Sequence, residues 1–158
     1  MRHKSLVTVV LLYAIITLAG CGGGGGDGGG AAAQQPTTAV VRVALNTQVN
    51  NLAVLVFDLI PTAGTTFTTV RGINEASVNN FVGPLDQTNP QSTTYTLISS
   101  GGINAAANRD ILEFTYAIGA GAPTPTFQIG STVSATTTTG QDVPIVPANF
   151  VVTTQLSP

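Results

Sequence analysis

Hydrophobic positions follow two patterns along the 158 residues. Near the N-terminus they form one run, residues 6–18, interrupted only by Thr8, Tyr13 and Thr17. From residue 39 onward they alternate with polar positions in short stretches bounded by Gly, Pro, Asn and Asp. The first run is shorter than the roughly 20 residues needed to cross a bilayer as a helix. The second pattern is rich in Val, Ile, Thr, Phe and Tyr with period two, which predicts β-strands split by turns. No long helical period is present.

Residues 39–45 place Val41, Val43 and Leu45 on one face and Arg42 on the other. Residues 52–60 are apolar except Asp58. Ala53, Leu55, Phe57 and Leu59 share one face of that strand, and Leu52, Val54 and Val56 the other. A strand apolar on both faces is expected to be central or covered. Pro61-Thr62-Ala63-Gly64 ends it. Residues 65–70 and 93–98 predict further strands, 84–90 a loop, and 101–109 a loop with room for one helical turn at 104–107. Residues 74–82 fit an irregular strand or a crossover. The clearest alternation is 111–118, with Leu112, Phe114, Tyr116 and Ile118 inward and Glu113 and Thr115 outward. After a turn at 119–125, strands are predicted at 127–129, 132–137, 143–146 and 150–154. Thr139-Gly140-Gln141-Asp142 forms a hairpin turn in this reading. The predicted fold is all-β, a single β-sandwich of about eight or nine short strands over residues 37–158.

The leader reads separately. Met1-Arg2-His3-Lys4 is basic, the apolar run follows, and small residues Ala19 and Gly20 close it. This is the layout of a secretory signal over residues 1–20, set aside from fold reasoning. Leu18-Ala19-Gly20-Cys21 resembles the lipobox of bacterial lipoprotein precursors. The resemblance implies that Leu18, Ala19 and Gly20 are read by the signal peptidase. It also implies a diacylglyceryl group on the Cys21 thiol, cleavage before Cys21 and, in many bacteria, acylation of the new N-terminus, for instance with palmitate. Cys21 is the only cysteine, so no internal disulfide competes for it. At about 0.8 kcal/mol per buried methylene, two or three chains make a stable anchor. Gly22, where a retained lipoprotein would carry Asp, favours the outer membrane if the cell is Gram-negative.

Residues 21–36 form the expected tether. Residues 22–30 are glycine except Asp27, and Ala31-Ala32-Ala33-Gln34-Gln35-Pro36 follows. Such a stretch buries no apolar surface and acts as a flexible linker of roughly 20 Å typical reach. A phosphate-binding loop is the alternative for the glycines, but no Lys-Ser/Thr follows them and no strand precedes them.

Composition narrows the chemistry. Cleavage before Cys21 removes the only His, Lys and Met, and the chain has no Trp. Arg42, Arg71 and Arg109 then face Asp27, Asp58, Glu75, Asp86, Asp110, Glu113 and Asp142. Three against seven gives a side-chain charge of −4. That argues against nucleic-acid binding, which needs clustered cations. Without His there is no Ser-His-Asp triad and no Cys/His zinc site. Without Lys there is no Schiff base. No catalytic residue, metal or cofactor is therefore expected beyond the covalent lipid.

Carboxylates remain as candidates. Asp110 and Glu113 are the closest pair in sequence, but residues three apart on a strand point to opposite faces. They read as a strand start and a solvated position. Asp58 reads as a strand-end or edge residue, with Arg42, Arg71 or Arg109 as partners if buried. Asn and Asp gather at 46–51, 79–80, 86–89 and 104–110. Calcium takes such oxygen ligands and turns favour the same residues, yet no loop alternates carboxylates densely. Tyr95 and Tyr116 offer rings for a sugar or for the core.

The order of predicted elements resembles the cohesin-like sandwiches of bacterial surface and scaffold proteins. An opening Val-Arg-Val-Ala-Leu strand leads to Leu-Ala-Val-Leu-Val-Phe-Asp-Leu and its Pro exit. Asp-Ile-Leu-Glu-Phe-Thr-Tyr-Ala-Ile follows a small-residue loop, and Ser-Ala-Thr-Thr-Thr-Thr-Gly-Gln-Asp-Val-Pro-Ile closes like that family's last hairpin. The resemblance covers about residues 38–154 and implies non-catalytic binding in general; no binding residue carries over. The expected protein is thus a lipid-anchored envelope protein whose sandwich binds a protein or plays a structural or adhesive role. A tethered carbohydrate-binding module is the alternative, and a hydrolase using carboxylates alone is a third.

Overall fold

A computed structural model describes residues 34–89 and 91–158. Cys21, Leu18, Ala19, Gly20 and the glycine tract lie outside the described residues. The elements run β1 (Thr38–Leu45), β2 (Val49–Pro61), β3 (Thr65–Gly72), β4 (Asn80–Pro84), β5 (Thr94–Ala105), β6 (Asp110–Ile118), β7 (Phe127–Thr137) and β8 (Phe150–Ser157), with short 3-10 turns at Asn74–Ala76 and Pro147–Asn149. They form two four-stranded sheets ordered β3-β6-β1-β8 and β4-β5-β2-β7. All pairings are antiparallel. The protein is an all-β sandwich, as the period-two alternation predicts.

The inner faces meet in one apolar core. Val41, Val43 and Leu45 of β1 and Leu112, Phe114 and Tyr116 of β6 are buried against Leu55, Phe57 and Leu59 of β2 and Tyr95 and Leu97 of β5. Aromatic rings bridge the sheets, with Tyr95 and Phe114 centroids 4.7 Å apart and Phe57 and Phe114 6.1 Å apart, both edge-on. Such edge-to-face pairs add to the area each ring buries.

Several expected boundaries shift. Residues 101–105, expected as loop, extend β5 to Ala105 alongside β2. The register there slips twice between Val49 and Val54. Asn51 (φ 54°) and Gly102 (φ 71°) take the left-handed backbone that such bulges use. The slip also turns Leu52 into the core, fully buried, rather than onto the face of Val54 and Val56. The expected helical turn at 104–107 is absent; Asn104 and Ala105 belong to β5. The two strands expected at 127–129 and 132–137 are one, β7, running through Gly130. A side chain at 130 would meet the Asp58 Cβ at 2.8 Å, so only glycine fits there without displacement. Residues 143–146 are not a strand. They return along the end of β7 through one bridge, Thr136 to Asp142, and a bond from the Val143 amide to the Ala135 carbonyl. The ambiguous stretch 74–82 holds a 3-10 turn and the start of β4.

Candidate functional site

Three places collect the chemistry-bearing side chains. The first is the outer face of β3-β6-β1-β8. Strand pairing sets Arg42 of β1 and Arg71 of β3 on either side of Glu113 in β6. The Arg42 Nε donates to Glu113 Oε2 at 2.9 Å and the Arg71 Nε to Oε1 at 2.9 Å. Arg71 Nη2 donates to the same Oε1. Glu113 faces outward, as its alternation requires, but it is not the solvated residue expected, being only 9% exposed. Two long guanidinium side chains cover it. The Arg42 hydrogen bond is the main cause holding its carboxyl below the ordinary glutamate range; burial opposes it and Arg71 adds to it. A carboxylate saturated by three donors is not free to act as base or nucleophile. Asp110 opens β6 as expected, and its backbone carbonyl accepts from Asn74 Nδ2 at 2.7 Å. The Glu113 carboxylate is engaged by Arg42 and Arg71, whereas Asp110 is bonded through its backbone.

The second is a recess of about 90 Å³ at one mouth of the sandwich, lined by Pro61, Thr65, Phe67, Ser92, Tyr95 and Tyr116 among others. The Tyr95 and Tyr116 hydroxyls lie 3.2 Å apart in hydrogen-bond contact. Both residues are 1% exposed, so their rings are core and present no flat surface to a sugar. Burial pushes both phenols up; the shared bond partly offsets this at Tyr95 and reinforces it at Tyr116. Both stay neutral at ordinary pH.

The third is the outer face of β4-β5-β2-β7. Register aligns Phe81, Ile98, Val54 and Thr136 in one row across the four strands. The next row is Gly83, Thr96, Val56 and Ser134. Asp58 and Thr94 pair beyond it, and Ile60 stands opposite Gln128. Phe81, Ile98 and Ile60 are 45%, 46% and 46% exposed. The Phe81 ring lies over Gly83, where a Cβ would sit 3.1 Å from its Cζ. On the outer side of central strand β2, Val54 and Val56 are half-buried between Ile98 and Thr96 on one side and Thr136 and Ser134 on the other, and Ile60 is exposed beyond Asp58. The two-faced apolar pattern of β2 is the signal that marks this surface in the sequence. Phe81 gave no such signal, because it lies in the stretch without clear period.

Asp58 sits on this face. It is neither at a strand end nor on an edge, contrary to expectation, since β2 lies between β5 and β7. Thr94 Oγ1 donates to its Oδ1 at 2.6 Å. Burial pushes the Asp58 carboxyl up, but hydrogen bonds from Thr94 and from the side chain and backbone of Thr132 outweigh it and leave it below the ordinary range. Arg42 and Arg71 belong to the opposite sheet, and Arg109 pairs with Glu75 at 2.8 Å. None of the three serves Asp58.

The Asn and Asp clusters are divided between turns and strands, Asn50 and Asn51 lying in β2, Asn80 in β4, Asn104 in β5 and Asp110 in β6. Asp86 Oδ1 accepts from the Thr88 amide and hydroxyl at 2.9 and 2.7 Å, and Asn89 Oδ1 from the Gln91 amide at 2.9 Å. Asn51, Asn74, Asn79 and Asn108 all adopt positive φ, which asparagine tolerates better than most residues. Among the described residues no group of three or more His, Cys, Asp or Glu side chains converges on a point where a metal ion could sit.

No family model matches this chain, and no curated protein matches it. Among solved structures it is similar to the sixth cohesin of scaffoldin B from Acetivibrio cellulolyticus, crystallised in complex with a Cel5 dockerin mutant. The likeness has 9% identity and a TM-score of 0.45, and covers 65% of this chain and 89% of that one.

Proposed function

We propose that this chain is a lipid-anchored, non-catalytic envelope protein that binds a protein partner through the outer face of β4-β5-β2-β7. One observation carries the reading: Phe81, Ile98, Val54, Val56 and Ile60 lie on that one sheet face, with Phe81, Ile98 and Ile60 close to half exposed. Scattered exposed apolar residues need no explanation, but Phe81, Ile98, Val54 and Val56 adjoin across three neighbouring strands, with Ile60 beyond Asp58, and such a patch marks an interaction surface. Thr136 and Ser134 flank it on one side and Asp58 and Thr94 at one end, giving the polar surround typical of protein interfaces. Anchoring through Cys21 rests on the lipobox, and the outer membrane as destination on Gly22 after it.

The test is a paired capture from envelope extract with wild type and with Phe81→Ser/Ile98→Glu, alongside a glycan array. A defined protein retained by the wild type and lost by the variant supports the reading. Selective glycan binding with no protein dependent on Phe81 and Ile98 would replace it with the carbohydrate-binding alternative.

A further inference from the structure

The four outermost strands are guarded unequally. β3 has a register shift between Phe67 and Thr69 and carries Arg71. β4 is five residues long and ends Gly83-Pro84. β7 has register shifts against β2, and its end is covered by the returning Asp142 and Val143. β8 has none of these devices. Its eight residues, Phe-Val-Val-Thr-Thr-Gln-Leu-Ser, contain no charge, proline or glycine and pair with β1 without a shift. Charges, proline, bulges and shortness are the means by which natural sheets block edge-to-edge pairing. Among the described residues β8 pairs with β1 alone. Thr153, Thr154 and Gln155 are exposed in succession, on both sides of the strand.

We propose that β8 is the docking edge for a second copy of this chain, joining two β3-β6-β1-β8 sheets into one of eight strands. The register is constrained. A two-fold axis normal to the sheet keeps inner faces together, so opposed residues must share a face. Phe150, Val152, Thr154 and Leu156 oppose the buried Leu45, Val43, Val41 and Ala39, and so face inward. An axis at Thr153 then sets Phe150 against Leu156, Val152 against Thr154, and Val151 against Gln155, using seven of the eight residues. Hydrogen-bond parity agrees. The Asn46 amide donates to the Asn149 carbonyl, so by antiparallel alternation odd-numbered β8 residues bond to β1 and even-numbered ones present free amides and carbonyls. Val152 and Thr154 would exchange those bonds across the axis. Phe150, Val152 and Leu156 are partly buried against the core, and a partner strand completes their cover. A second copy sets apolar Phe150 against Leu156 over seven of the eight residues and closes on a two-fold, the commonest symmetry of oligomers.

Disulfide trapping in the full chain tests this. At a non-hydrogen-bonded antiparallel pair the Cα atoms lie about 4.5 Å apart, within disulfide reach. Thr153→Cys should give a covalent dimer under mild oxidation at least about tenfold above Val151→Cys, whose two copies would lie four residues apart along the strand. Val151→Cys/Gln155→Cys should crosslink as well as Thr153→Cys. Wild type, retaining Cys21, sets the background. Thr153→Glu adds a readout that does not depend on crosslinking. It places a carboxylate beside Arg42 within one copy but opposes two carboxylates at the axis. Co-purification of two differently tagged full chains should therefore fall several-fold while the melting temperature holds. Equal crosslinking of Thr153→Cys and Val151→Cys, a Thr153→Cys adduct with a different protein, or unchanged co-purification in Thr153→Glu would each overturn the proposal. Ile98→Glu should leave the dimer intact, separating it from the face of β4-β5-β2-β7.

Discussion

Replacing Glu113 by glutamine probes the best-defined polar contact of the fold. The substitution keeps shape and one acceptor oxygen but removes the charge and turns an amide N–H toward guanidinium donors. Arg42 and Arg71 are 43% and 70% exposed along their side chains, so solvent screens both pairs. Each is worth about 0.2–1 kcal/mol on that footing, which sets the expected loss near 1 kcal/mol. For a domain of this size that lowers Tm by about 3–6 °C. The pH dependence is more specific. The Glu113 carboxyl is held low in the fold, so its contribution is full above the unfolded value of about 4.3 and fades as pH falls through the lower folded value. The gap between wild type and Glu113→Gln should be constant from pH 8 to 6 and narrow below about pH 4.5. Asp58 is present in both proteins and cancels. In 1 M salt, where the Debye length is about 3 Å, the gap should shrink at pH 7. Urea titrations at stepped pH measure all of this. A gap below about 0.3 kcal/mol at pH 7, or one that persists unchanged to pH 2.5, would refute the ion-pair account.

Other outcomes follow from single contacts. Gly72→Ala should cost at least about 2 kcal/mol, since its Cβ would fall 1.8 Å from the Ala76 carbonyl oxygen; a wild-type urea midpoint would contradict this. Tyr116→Phe removes the hydroxyl bonded to Tyr95 at 3.2 Å and should cost about 0.5–1.5 kcal/mol by the same titration. Cys21→Ser should abolish labelling by a clickable palmitate analogue and leave the precursor uncut on gels; mature, membrane-held protein in that variant would remove the lipobox reading.

Much of the sandwich was legible because its strands alternate cleanly. Val41, Val43 and Leu45 in β1 and Leu112, Phe114 and Tyr116 in β6 announce their inner faces without any long-range information. The second half of β5 was not legible. Gly101-Gly102 looks like the start of a loop, yet it belongs to a strand bent around the Asn51 bulge, and bulges need the partner strand to be recognised. Gly130 looked like a break between strands for the same reason; it is the place where β7 passes close over Asp58. Glu113 shows the limit for side chains. Its outward direction could be read from alternation, but its cover could not, because Arg42 and Arg71 lie 71 and 42 residues away in sequence. The apolar face was half legible: β2 signalled two apolar sides, whereas Phe81 and Ile98 acquire meaning only once pairing sets them beside Val54.

The most direct test of the partner-binding account is a photo-crosslinking amino acid placed at Ile98 in living cells, with Arg42 on the opposite sheet as the comparison position. The account predicts one discrete adduct with a different protein at Ile98, lost when Phe81→Ser is added, and at Arg42, which stands beside Thr153 of β8, no adduct except with a second copy of this chain. Equal smears at both positions, or an adduct with a different protein at Arg42 alone, would contradict it.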